Sequence, residues 1–102
     1  MKMIQIAEIN HKTSPIFRKY QADFAGVFGS RARGDAKPQS DYDFIVRFKE
    51  VPSLVQLIKM ENELKNVLGM EVDLIVEGSE KTFIKENIKK DLTPIYGQGF
   101  AV

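Results

Sequence analysis

Residues 41–48 read DYDFIVRF, polar and apolar by turns, and a helical pattern and a second apolar run follow at once. A strand, a helix and another strand in quick succession leave few arrangements open. Across the first strand, Tyr42 to Phe48, one face would carry Tyr42, Phe44, Val46 and Phe48 towards a core. The opposite face would carry Asp41, Asp43, Ile45 and Arg47. Ser53 to Leu68 is the clearest helix. Ser53 and Gln56 form a capping box. Leu54, Leu57, Ile58, Leu64, Val67 and Leu68 make an apolar stripe. Glu61 and Lys65 pair at i, i+4, and Gly69 supplies the left-handed residue that ends the helix. Met70 to Val76 is the next strand, with Val72, Leu74 and Val76 on one side and Glu71, Asp73 and Ile75 on the other.

The flanks are less regular. Ser14-Pro15 is a helix start, since proline is tolerated at the first helical position, and predicts a short helix from Pro15 to about Gln21 burying Ile16, Phe17 and Tyr20. A separate helix over Met3 to Ile9 is a weaker pattern. Phe24 to Phe28 reads as a strand stopped by Gly29-Ser30, and Gly34, Asp35, Pro38 and Ser40 mark a loop. Gly78-Ser79 opens a further helix to about Lys90, with Phe83, Ile84 and Ile88 inward, and Thr93-Pro94 stops it. The expected fold is α/β (α+β): a small mixed sheet with helices packed on one face. Pairing of the Tyr42–Phe48 strand with the Met70–Val76 strand could be parallel through the crossover helix, with antiparallel geometry left open.

At 102 residues the chain suits one compact domain, 1–102. No apolar run approaches a membrane span, and Glu8 and Asn10 interrupt any signal-like start. The absence of cysteine removes disulfides and thiolate chemistry and fits a cytoplasmic location. A net charge of +1 gives no broad attraction to nucleic acid. The single histidine, His11, lies in a polar stretch and reads as a surface residue.

The chemistry concentrates in GSRARGDAKPQSDYDFIV, residues 29–46, and in EVDLIV, residues 71–76. Side chains at i and i+2 of a strand leave the same face about 6.6 Å apart. Asp41 and Asp43 could therefore lean onto one or two divalent ions, which in two-metal sites lie roughly 3.5–4 Å apart. Asp73 joins them if the two strands are neighbours. Converging carboxylates repel, so cations are needed, and oxygen ligands select magnesium, with manganese able to replace it. Gly29-Ser30 lets a backbone approach phosphate, and Arg31 and Arg33 could neutralise its charge. At most one of the two arginines would point into the site, whether the segment is extended or helical. Taken singly, a Gly-Ser turn is usually only a turn and a strand-end aspartate is usually solvated. The combination favours a site. No P-loop is present, because the lysine and the following Ser/Thr are missing.

These residues resemble the signature of the DNA polymerase β-like nucleotidyltransferase superfamily. Gly29-Ser30, then Asp41-Tyr42-Asp43, with SDYDFIV and EVDLIV, are similar to its minimal nucleotidyltransferase (MNT) branch, core motifs spanning 23–76. The resemblance implies that Gly29 and Ser30, with Arg31, Arg33 and Ser40, bind the nucleotide. It implies that Asp41, Asp43 and Asp73 are catalytic and hold two Mg2+ ions, with ATP as substrate. Minimal members are similar to antitoxins that transfer AMP to a tyrosine of a HEPN ribonuclease toxin, so the implied partner is such a toxin, in an assembly with this chain. The alternatives are a non-catalytic antitoxin acting by stoichiometric binding, and transfer to a small-molecule hydroxyl.

Overall fold

The computed structural model describes residues 2–77 and 90–97, with side chains described from residue 6 onward. In chain order the elements are helix α1 (Lys2–Lys19), strand β1 (Ala22–Phe28), the one-turn helix α2 (Ser30–Arg33), strand β2 (Tyr42–Phe48), helix α3 (Leu54–Leu68), strand β3 (Val72–Val76) and strand β4 (Thr93–Gly97). The strands form one sheet in the order β3-β2-β1-β4. β1 runs antiparallel to both β2 and β4, and β2 is parallel to β3. The sheet is mixed, as expected, α3 being the crossover that parallel neighbours require, and β4 is a fourth strand beyond the three expected.

One face of the sheet carries the core. Ile9, Ile16 and Phe17 of α1 and Met60 and Leu64 of α3 pack on Ala25, Val27, Phe44, Val46, Phe48, Val72 and Ile95. Phe17 meets Phe44 edge to face at 5.9 Å between ring centroids. Glu63 joins the two helices, accepting from Lys19 Nζ at 3.0 Å and from the Tyr20 hydroxyl. Asn10 Nδ2 donates to the Ile95 carbonyl and so ties α1 to β4.

Three local expectations change. α1 is a single helix that runs through Pro15 rather than starting there. Ile6, Ile9, Thr13, Ile16, Phe17 and Tyr20 recur at helical spacing, and packing of that stripe outweighs the missing proline N–H. The Thr13 and Ser14 hydroxyls donate to the carbonyls of Ile9 and Asn10, both at 2.7 Å, in the turn where the ladder is interrupted. The helix ends before Gln21, which takes the left-handed conformation at φ 60°. Replacing Pro15 with Ala should restore a donor for the His11 carbonyl and stabilise the fold by roughly 1–3 kcal/mol. Urea unfolding checks this: a midpoint that falls would show that proline suits the local backbone.

Thr93-Pro94 follows the helical Lys90 and Asp91, as expected, and also opens β4, paired with β1 at Val27 and Gly26. An edge strand accepts proline because one rim of its backbone carries no ladder. The helix expected from Gly78 onward, with Phe83, Ile84 and Ile88, lies outside the described residues apart from its end, where Lys90 and Asp91 are helical.

At the start of α3 the Ser53 half of the expected capping box is formed, and Gly69 ends the helix as expected. Ser53 Oγ accepts from the Gln56 N–H at 3.2 Å, and Gly69, at φ 70°, donates to Lys65 at 2.8 Å. The expected apolar stripe divides, however. Leu64 is buried with Met60, which the stripe had omitted, and Leu57 and Leu68 pack beside them. Leu54 (72% exposed), Ile58 and Val67 face outward. A 15-residue helix turns only about a third of its circumference to a sheet, and these residues lie off that arc. Lys65 pairs with Glu71 at 3.3 Å rather than with Glu61.

Candidate functional site

The second face of the sheet, away from α1 and α3, carries the carboxylates. In the β2–β3 ladder Asp43 is the register partner of Asp73, and Ile45 that of Ile75. Partners in register point the same way, so Asp43 and Asp73 stand side by side. Asp41 precedes the first residue of β2 and is exposed, as is Asp73, whereas Asp43 is half-buried. The register thus places two of the three expected carboxylates on one face, while Asp41 lies just outside the ladder. Among the described residues, no three His, Cys, Asp or Glu side chains are drawn together at ligating distance.

Electrostatics mark the same place. The Asp43 carboxyl is pushed up to about 6, first by burial, then by the neighbouring charges of Asp73 and Asp41, with Arg33 acting against them. A carboxylate under that strain is relieved by a proton or by a cation. The donors are all oxygen, the chemistry of a hard divalent ion. The residues present thus fit such an ion, and Asp43 is the group with most to gain from it.

Gly29 closes the site from the β1 side. Phe28 pairs with Asp43, which brings the following residue against the Asp43 side chain. A Cβ on Gly29 would lie 2.5 Å from Asp43 Oδ2, and the backbone there has φ 75° and ψ −155°. Only glycine adopts that conformation readily, and only glycine leaves the room. The chain then turns into α2. Gly29 O accepts from the N–H groups of Ala32 and Arg33, and Ser30 O from Gly34 at 3.0 Å. Ala32 is buried under the turn, which anchors it to the core.

The helical turn sends the two arginines apart. Arg33 stays on the carboxylate side, where it lowers the Asp43 pKa, and bonds Asp91 at 2.8 Å and Asp35 at 3.2 Å. Arg31 crosses to the other side of the sheet. Its Nη2 donates to the Ser40 carbonyl at 2.8 Å and to Pro38 at 3.3 Å, and its guanidinium lies 4.3 Å above the Tyr42 ring. Arg31 is thus not turned towards the carboxylates. Ser40 is also engaged locally: its Oγ accepts from the Lys37 N–H at 2.8 Å and shapes the loop. Asp91, beside Arg33, was not singled out in the sequence. A lone acidic residue at a helix end carries no signal, and the pairing of β4 with β1 brings it to Arg33.

The carboxylate face is not open along its whole length. Phe24 and Ile45 are fully buried, although they project from the side opposite the main cluster. Arg47 lies over the Phe24 ring and bonds Asp23 at 3.0 Å, while Leu92 sits directly against Gly26. The acidic end of this face is therefore separated from the Arg47 end by apolar packing.

The polymerase β nucleotidyltransferase family model matches residues 11–99. The chain belongs to that family. Among relatives of this nucleotidyltransferase, protein adenylyltransferase MntA of Thermococcus cleftensis is 43% identical over 66% of this chain and 68% of its own length. A Methanocaldococcus jannaschii protein, provisionally named a protein adenylyltransferase, is 37% identical over 90% of this chain and 99% of its own. The fold of this nucleotidyltransferase is shared with a chain in the solved complex of a tri-AMPylated Shewanella oneidensis HEPN toxin with an MNT antitoxin. That likeness has a TM-score of 0.68 and 17% identity, covering 96% of this chain and 74% of the other. The nucleotidyltransferase is thus an enzyme by family, with the mixed sheet of that family. Among the described residues it has no helix long and apolar enough to cross a membrane.

Proposed function

We propose that the chain is a single-domain, magnesium-dependent protein adenylyltransferase of the cytoplasm that moves AMP from ATP to a tyrosine hydroxyl of a HEPN-type toxin. The observation that carries the reading is the register of Asp43 beside Asp73, with Gly29 closed against Asp43. The names of the relatives support adenylyl transfer, and the fold shared with a chain of a toxin–antitoxin complex supports a protein acceptor.

In this reading Asp41, Asp43 and Asp73 hold divalent cations, magnesium first. Such ions supply charge neutralisation at the α-phosphate and at the departing pyrophosphate. The chain's own residues do the rest. Ser30, on a one-turn helix anchored by buried Ala32, offers its hydroxyl to the triphosphate. Arg33 lies within electrostatic reach of Asp43 and can exchange its exposed Asp35 contact for a phosphate oxygen. Asp73 is exposed beside Asp43 and is the carboxylate that an incoming hydroxyl meets. The acceptor oxygen bonds to the α-phosphorus, the α–β bridging bond breaks, and the hydroxyl proton passes to Asp73.

The test is direct. With α-labelled ATP, Mg2+ and a HEPN-type toxin, tested first on any encoded beside it, the purified chain should label the toxin. Asp41→Asn combined with Asp43→Asn should reduce labelling by at least about 1,000-fold. A double variant that still protects cells from the toxin would instead support stoichiometric binding. Label appearing only on a small-molecule acceptor would support transfer to a free hydroxyl.

A further inference from the structure

Of the three carboxylates at the site, Asp43 and Asp73 are fixed by strands. Asp41 is not. It sits one residue before β2, at the end of a segment from Gly34 to Asp41 that has no regular structure. Something else must hold it, and the residues on either side of it have one contact in common. Arg31 Nη2 donates to the Ser40 carbonyl at 2.8 Å, which belongs to the peptide bond leading into Asp41. The same guanidinium lies 4.3 Å over the ring of Tyr42, the residue that follows Asp41. A weaker bond reaches Pro38 O at 3.3 Å. The Arg31 Nε is buried and, among the described residues, has no hydrogen-bond partner, while Nη2 lies nearer the surface.

We propose that Arg31 is a positioning residue that brackets Asp41 and couples it to the Gly29-Ser30 turn. The role deepens the functional reading above and rests on Asp41 as a cation ligand there. The geometry suits arginine. A planar fork can donate in its own plane to carbonyls while its face stacks on a ring, and lysine cannot do both. Arg31 adjoins Ser30 in α2, so the phosphate turn and the most weakly anchored carboxylate move as one unit. Loss of an outer contact that orients a metal ligand commonly weakens metal affinity by about 10–100-fold.

The experiment compares the wild-type chain with Arg31→Ala and Arg31→Lys. Mn2+ binding is titrated by electron paramagnetic resonance without nucleotide, ATP affinity is measured at saturating Mn2+, and amide exchange is followed across residues 38–48. The expected result is Mn2+ affinity about ten-fold weaker in Arg31→Ala, with an intermediate loss in Arg31→Lys. ATP affinity should stay within about two-fold, and exchange should quicken at 38–41 but not at 44–48. Unchanged Mn2+ affinity in Arg31→Ala overturns the role. Full recovery in Arg31→Lys also overturns it, because charge alone would then suffice. A loss of ATP affinity with Mn2+ binding intact makes Arg31 a phosphate contact instead. A wild-type chain that takes up no Mn2+ overturns the metal reading beneath the proposal, an outcome distinct from the other three.

Discussion

Asp43→Asn should abolish nucleotidyl transfer and at the same time make the metal-free protein more stable. The two effects share one cause. Burial and the charges of Asp73 and Asp41 raise the Asp43 carboxyl from 3.8 to about 6. The folded state therefore binds the proton more tightly than the unfolded chain does. As pH rises from about 4 to about 6 the folded state keeps a proton that the unfolded chain has released, so stability falls through that window and stays reduced above it. A displacement of that size would amount to about 3 kcal/mol in a sealed site. Asp43 is only half-buried, and solvent screening brings this to on the order of 1 kcal/mol. Asparagine has nothing to ionise. In EDTA at pH 8 the variant should melt about 4–8 °C higher, and the gain should vanish near pH 4. Adding Mg2+ should raise the melting temperature of the wild type and leave the variant almost unmoved. Transfer should fall by at least about 1,000-fold. A variant that melts lower at pH 8 would show that Asp43 stabilises the fold rather than burdening it.

Gly29→Ala should be the most damaging single methyl group at the site. It meets two obstacles at once. At φ 75° and ψ −155° the backbone occupies a region that costs a residue with a side chain about 1–3 kcal/mol. The added carbon also lands 2.5 Å from Asp43 Oδ2, so the carboxylate has to swing away. Transfer should drop by about 100-fold or more, since a displacement near 1 Å is enough for that. Denaturant unfolding should show a loss of at least the conformational cost. Gly69→Ala gives the comparison. Its φ is 70°, yet nothing stands within 4 Å of the new carbon. That variant should lose about 1 kcal/mol and keep its activity. Equal activity losses in the two would point to backbone strain, not to the Asp43 contact.

The parts of the fold that were legible are those whose signals are local and repeated. β2 was bounded at Tyr42 and Phe48 because its alternation is uninterrupted, and the same alternation put Asp43 on the face away from the core. α3 was bounded by Ser53 and Gly69, whose roles depend only on the adjacent turn. The exposure of Leu54, Ile58 and Val67 was not legible, because apolar spacing marks a stripe without saying how much of it a neighbour covers. Pro15 was misleading for a different reason. A local breaker argued against one long helix, while Ile9, Thr13, Ile16 and Phe17 argued for it, and packing prevailed. β4 is five residues long, contains proline and pairs only with β1, far away in the chain. No nearby residue announces such a strand. At the site, the residue types and the shared face of Asp43 and Asp73 could be read from spacing. The divergence of Arg31 and Arg33 was anticipated for a helical turn, but the partners each would find were not. Those depend on where a loop and an edge strand come to rest.

The parallel pairing of β2 with β3 also makes the protein intolerant of small changes in chain length at one joint. Gly69, Met70 and Glu71 are all that connect the end of α3 to β3. Because neighbouring residues of a strand look in opposite directions, removing one residue from this joint would turn Asp73 into the oily layer beneath α3 and expose its apolar neighbour in exchange. The stretch between Gly34 and Ser40 has no such parity to keep, so natural or engineered length variation should accumulate there and be purged between Gly69 and Glu71.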